Sequence, residues 1–88
     1  MGVSSHGFIR TPRAAARSGL GKSAYYGRTQ RGLFPQFMRL GGASVVPEDE
    51  LNEVLDAVRC GLSDDEIRAL VRRQHAARVA RAAELRAA

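Results

Sequence analysis

Glycines at positions 19, 32, 41, 42 and 61 divide most of this 88-residue chain into segments too short for one long element. Glycine takes the left-handed backbone at little cost, so it ends helices and makes tight turns, and these positions fix where elements stop. Such a length builds one domain at most, and it buries only roughly 60–65% of the surface that the unfolded chain exposes. Roomy clefts lined with catalytic groups need more scaffold. A binding module is therefore expected, and not an enzyme.

Residues 1–8 are small and polar, carry Gly2 and Gly7 and lack periodicity, so they read as a disordered arm. Thr11-Pro12 predicts a helix start, with Thr capping free amides and Pro at the first helical position, and Ser18-Gly19 predicts its end. A second helical segment runs from Gly21-Lys22-Ser23 through Tyr25 and Tyr26 to Arg31 and is closed by Gly32. Two short helices joined by a Gly-containing turn form a helix-turn-helix unit. Leu33-Phe34-Pro35 is an apolar plug, and Phe37–Leu40, Gly41-Gly42 and Ala43–Val46 predict a β-hairpin, or wing, lying on the helices. Pro47 with Glu48, Asp49 and Glu50 opens a third helix, whose Leu51, Val54, Leu55, Val58 and Leu62 fall on one face as the main core stripe. Ser63-Asp64-Asp65-Glu66 is a capping box for a fourth, with a narrow stripe of Ile67, Leu70 and Val71. Beyond Gln74 the chain turns to Ala and Arg, and fraying is expected from near Arg81.

Charge divides the chain as sharply as glycine does. Residues 1–46 carry Arg10, Arg13, Arg17, Lys22, Arg28, Arg31 and Arg39 and no Asp or Glu, a local charge of +7 within a total of +5. Residues 47–62 reverse the sign, with Glu48, Asp49, Glu50, Glu53 and Asp56 against Arg59. A cationic front half is the footprint of a polyphosphate partner. The lone Cys60, expected to be half-buried, makes no internal disulfide, which fits a reduced, cytoplasmic setting. No apolar run reaches a membrane span, so no membrane partner is expected. His6 and His75 lie too far apart to bind metal, and His75 is expected on a solvated helix face. Ala16 through Ser23 imitates a phosphate-binding loop but has Ala16 where glycine is required and a helix where a strand should precede. No cofactor and no small-molecule ligand are expected.

Gly19-Leu20-Gly21-Lys22-Ser23-Ala24-Tyr25-Tyr26, Gly32-Leu33-Phe34-Pro35, Leu40-Gly41 and Val46-Pro47-Glu48-Asp49-Glu50-Leu51 together closely resemble the AlpA-type phage regulatory proteins. The segment from Gly61 to Val71, ending near Arg78, is similar to an extension in one branch of that family, so the resemblance spans about residues 9–78. It implies a mainly α fold with a small β-hairpin, the winged helix-turn-helix of excisionases and the MerR class, over residues 9–62, with a C-terminal helical extension over 63–88. It also implies a sequence-specific regulator of transcription on a phage or integrative mobile element, acting on double-stranded DNA at the nucleoid. Two positions depart from the family: Val46 stands where a Trp is usual and Thr29 where an aliphatic is. If buried, each change removes apolar area worth about 1–3 kcal/mol, so this chain is expected to be either less stable or repacked around Tyr25 and Phe37.

With the second helix in the major groove, Lys22, Ser23, Tyr26, Arg28 and Arg31 are the polar candidates, and residues 22, 26 and 29 are expected to share one side. Arg28 is assigned base reading, since its planar fork can engage guanine O6 and N7 together. Lys22, Ser23 and the helix-start amides suit phosphate, Arg39 and Ser44 on the wing suit backbone or minor groove, and Arg10, Arg13 and Arg17 line phosphates by charge. An excisionase-like factor that bends DNA and directs an integrase fits the same residues, as does self-association on repeated sites. From a different class, the acidic third helix and the fourth could instead form a protein-interaction surface with no DNA role.

Overall fold

The computed structural model describes residues 7–88. Its elements are β1 (Phe8–Arg10), α1 (Thr11–Arg17), α2 (Lys22–Gln30), β2 (Met38–Leu40), β3 (Ala43–Pro47), α3 (Glu48–Arg59) and α4 (Asp64–Ala87). The fold is mainly helical, with one small antiparallel sheet of order β1-β3-β2.

The sheet is larger than the hairpin expected from sequence. β3 pairs with β2 as anticipated, Arg39 opposite Ser44, and Gly41 and Gly42 hold φ of 59° and 84°, the positive angles of a tight hairpin turn. On its other edge β3 pairs with β1, Ile9 opposite Val46, and the Glu48 amide donates to the Gly7 carbonyl at 3.0 Å. Phe8, assigned to the arm, is therefore in a strand and Gly7 is bonded beside it; residues 1–6 of that arm lie outside the described residues. Pairing with β1 makes β3 a central strand, which shields Val45 and Val46.

Helix boundaries follow the local signals closely. α1 starts at Thr11 and passes into Ser18-Gly19, where Gly19 (φ 73°) lets the Leu20 amide reach the Ala15 carbonyl. Thr11 is not the cap that was expected: it is the first helical residue, and its hydroxyl is bonded elsewhere. α4 opens with the anticipated capping box, Ser63 and Glu66 bonding each other's backbone amides at 3.2 and 2.8 Å. α4 is helical to Ala87, past the point near Arg81 from which fraying was expected. Alanine-rich composition favours the helix, and an Arg81–Glu84 pair at 2.8 Å supports it.

All four helices and the sheet share one core. It gathers Ile9, Ala14, Ala15, Tyr25, Leu33, Phe34, Val46, Leu51, Val54, Ala57, Ile67, Leu70 and Val71. Full burial of side chains such as Leu51 and Val54 contributes about 1.5–3 kcal/mol each. The α3 stripe differs from the expected one near its end. Ala57 is buried, whereas Val58 and Leu62 remain 47% and 38% exposed, because the buried row of α3 runs through Leu51, Val54 and Ala57, Val58 stands to its side and Leu62 lies beyond the end of the helix.

Polar side chains clasp α4 to the rest. Gln74 donates to the Glu50 carbonyl (3.1 Å) and to Glu53 Oε1 (2.8 Å). Arg78 pairs with the Glu50 carboxylate and also donates to the Gln36 carbonyl at 2.9 Å. His75 is only partly solvated, since its Nε2 accepts the Gln36 amide at 3.1 Å. Burial, and then the Arg78 charge, lower its pKa, with Glu50 opposing. The folded state therefore holds neutral imidazole, and the unfolded chain takes up more protons once the pH drops below about 6.5. The stability this contact contributes is complete above that pH and is lost as the pH falls through the lower folded value. Urea midpoints measured between pH 7.5 and 5 are expected to decline, and His75→Gln, which keeps an acceptor but does not titrate, is expected to flatten the decline.

Candidate functional site

The residues proposed from sequence fall into two groups, those left facing solvent and those the fold has taken inward. α2 decides most of the assignments. Tyr25 and Thr29 are buried, and the Thr29 hydroxyl donates to the Tyr25 carbonyl at 3.2 Å. At 100° per residue, the opposite row is then Ser23, Gly27 and Arg31, with Ala24 and Gln30 on its two sides. Residues 22, 26 and 29 therefore do not form the outward side expected of them. Ser23, Gln30 and Arg31 are exposed and Gly27 is half-buried.

Tyr26 is half-buried and does not stand free for a ligand. Its hydroxyl is within 2.8 Å of Thr11 Oγ1, and its ring packs edge-on to Tyr25 (5.6 Å) and Phe37 (5.5 Å). With Tyr25 and Phe34 at 5.1 Å, this makes a continuous aromatic chain, Phe34–Tyr25–Tyr26–Phe37. Val46 and Thr29 are both buried. Burial, followed by the neighbouring Tyr26 phenol, raises the Tyr25 pKa, against a smaller opposing effect of Thr29.

Arg28 departs most from its assignment. Its guanidinium carbon lies 4.9 Å from the Phe34 ring centroid, and Nη2 is buried without a hydrogen-bond partner among the described residues. It lines a cavity of about 130 Å³ with Ser18, Leu20, Phe34, Leu55 and Val58, so in this arrangement it faces protein and does not project outward to read a base. Arg17 is likewise engaged, pairing with Glu48 at 2.9 Å and donating to Asn52 Oδ1 at 3.1 Å, which ties α1 to α3.

The remaining candidates are accessible. Lys22 and Ser23 are exposed at the start of α2, where Gly21 is the N-cap, no side chain caps the helix and its first turn has no acid. The free amides of such a terminus and its positive dipole end favour an anion. Arg39 reaches across the hairpin to Ser44 Oγ at 3.4 Å, so these two do come together. Arg10 and Arg13 are exposed and line a cleft of about 260 Å³ with Arg17, although Glu48 is also present. Arg10, Arg13, Lys22, Arg31 and Arg39 form no ion pair among the described residues.

Sequence reasoning passed over Gly27 and Gln30, whose outward position follows once Tyr25 and Thr29 are known to be buried. It also left unassigned Arg68 and Arg72 of α4, which meet Arg31 in space. Cys60, expected to be half-buried, is exposed. Among the described residues, no helix is long and apolar enough to cross a membrane. Comparison with known protein families, with curated proteins and with solved structures finds no match.

Proposed function

We propose that this chain is a sequence-specific, double-stranded DNA-binding regulator of the winged helix-turn-helix kind, akin to the AlpA-type proteins of phages and integrative elements. α2 is the helix that enters the major groove, the β2–β3 hairpin is the wing, and the work is done in the cytoplasm at the nucleoid. The observation that carries this reading is the outward face of α2. It offers Ser23, Gly27, Gln30 and Arg31 without an acid, between an uncapped helix start and a basic helix end. Lys22 and the first amides of α2 hold phosphate. Gln30 is the side chain suited to a base edge, since its amide can bond adenine N6 and N7 together. Gly27 brings the helix backbone close to the groove floor. A glycine inside a helix costs about 1 kcal/mol relative to alanine, and a Cβ here would meet only Arg31 Nη1, at an unstrained 3.7 Å, so packing does not require it.

The test is selection of bound sites from a randomised duplex pool, followed by mobility shifts. A selected site is expected to bind about a thousandfold more tightly than a scrambled one. Gly27→Ala is expected to stabilise the protein by about 0.5–1 kcal/mol while weakening its hold on that site. Gln30→Ala is expected to relax preference at one base pair by about 1–3 kcal/mol. Equal affinity for every duplex tried would falsify the regulator reading.

A further inference from the structure

α4 does more than close the core. It runs past the end of α2, and between them lies an open groove of about 390 Å³ lined by Arg31, Arg68 and Arg72 together with Gln30, Gln36 and His75, with no carboxylate in its lining. Arg68 organises it. Its Nε donates to the Arg31 carbonyl at 2.9 Å, satisfying one of the acceptors that the end of a helix leaves open, and so fixes α4 against α2. Its stem passes Gly32, where a Cβ would come within 3.8 Å of Cγ. Its Nη1 bonds Asp65 at 3.2 Å, but that carboxylate is 95% exposed and is screened by solvent and salt. Arg31 and Arg72 are exposed and form no ion pair among the described residues.

We propose that this groove is a second phosphate-binding surface, in which Arg31 and Arg72 hold the DNA backbone beside the stretch read by α2. The inference rests on the DNA-binding reading above and adds the C-terminal helix to the interface. The surface is continuous with the outward row of α2, because the Arg31 guanidinium lies alongside Gly27. The adjoining face of α4 differs in kind: Arg73, next in sequence to Arg72, lines a groove with Asp49, Glu50 and Glu53, an environment that repels phosphate. Two adjacent arginines on one helix thus sit in opposite electrostatic surroundings, and their comparison isolates the effect.

The experiment uses the full chain and its selected duplex, with affinity measured by fluorescence anisotropy at several salt concentrations. Arg72→Ala is expected to weaken binding about threefold to tenfold and to reduce the slope of log affinity against log salt by about 0.9, evenly across sequences. Arg31→Ala is expected to act similarly, Arg72→Lys to keep the slope, and Arg73→Ala to leave slope and affinity unchanged. Thermal melts of Arg72→Ala should match the parent, since this side chain is exposed and supports no described contact. If the parent chain binds its duplex and Arg72→Ala binds with the same affinity and slope, the second surface is overturned while the regulator reading stands. A parent chain that binds no duplex removes both.

Discussion

Replacing Phe34 by alanine is expected to destabilise the protein by about 3–5 kcal/mol, the range for removing a buried aromatic ring. Phe34 is almost wholly buried in the core, with Tyr25 packed against its ring and the Arg28 guanidinium close to its centroid. Its removal opens a cavity at the start of the aromatic chain and takes away the π surface beside Arg28, whose Nη2 already lacks a hydrogen-bond partner among the described residues. Domains of this size have about 5–15 kcal/mol in total, so the variant should sit near the edge of folding. Phe34→Leu, which keeps most of the volume, is expected to cost much less, and urea unfolding of both variants gives the comparison. A loss below about 1 kcal/mol for alanine would mean that the aromatic chain is not the centre of the core.

Raising salt from 50 to 200 mM is expected to lower affinity for the selected duplex about a thousandfold. Arg10, Arg13, Lys22, Arg31, Arg39 and Arg72 are exposed and free of ion pairs among the described residues. Six phosphate contacts of this kind release counterions with a slope near −5 on logarithmic axes, at about −0.9 for each contact. Arg17 and Arg28, engaged within the protein, are left out of that sum. A slope near −1 would mean that most of these bases stand away from the duplex, and the proposed orientation would fail.

The sequence made some elements legible and hid others for identifiable reasons. Caps and breakers act over one turn of chain, so Ser63 with Glu66, Ser18-Gly19 and Gly41-Gly42 marked their boundaries. β1 carried no such mark. Three residues with only Ile9 buried make no periodic pattern, and the strand exists because β3, more than thirty residues away, accepts it. Separation along the chain also hid the fate of two candidate side chains. Tyr26 meets a hydroxyl from α1 and Arg17 meets a carboxylate from α3, neither of which could be anticipated from neighbours in sequence. The face of α2 was misjudged because Thr29 is a polar residue that turns inward by bonding the preceding turn. Charge, by contrast, was plain: the acid-free front half predicted a cationic surface, and most of its bases do face solvent.

Arg78 joins Glu50 of α3 to the Gln36 carbonyl that precedes β2, while Ile67, Leu70 and Val71 complete the core from the same late helix. On a ribosome, the segments from β1 to α3 emerge before the helix that seals them, and in the meantime their apolar faces lie open. The core lacks three of its side chains until α4 follows. The half that carries α2 and the hairpin is completed by the part of the chain translated after it.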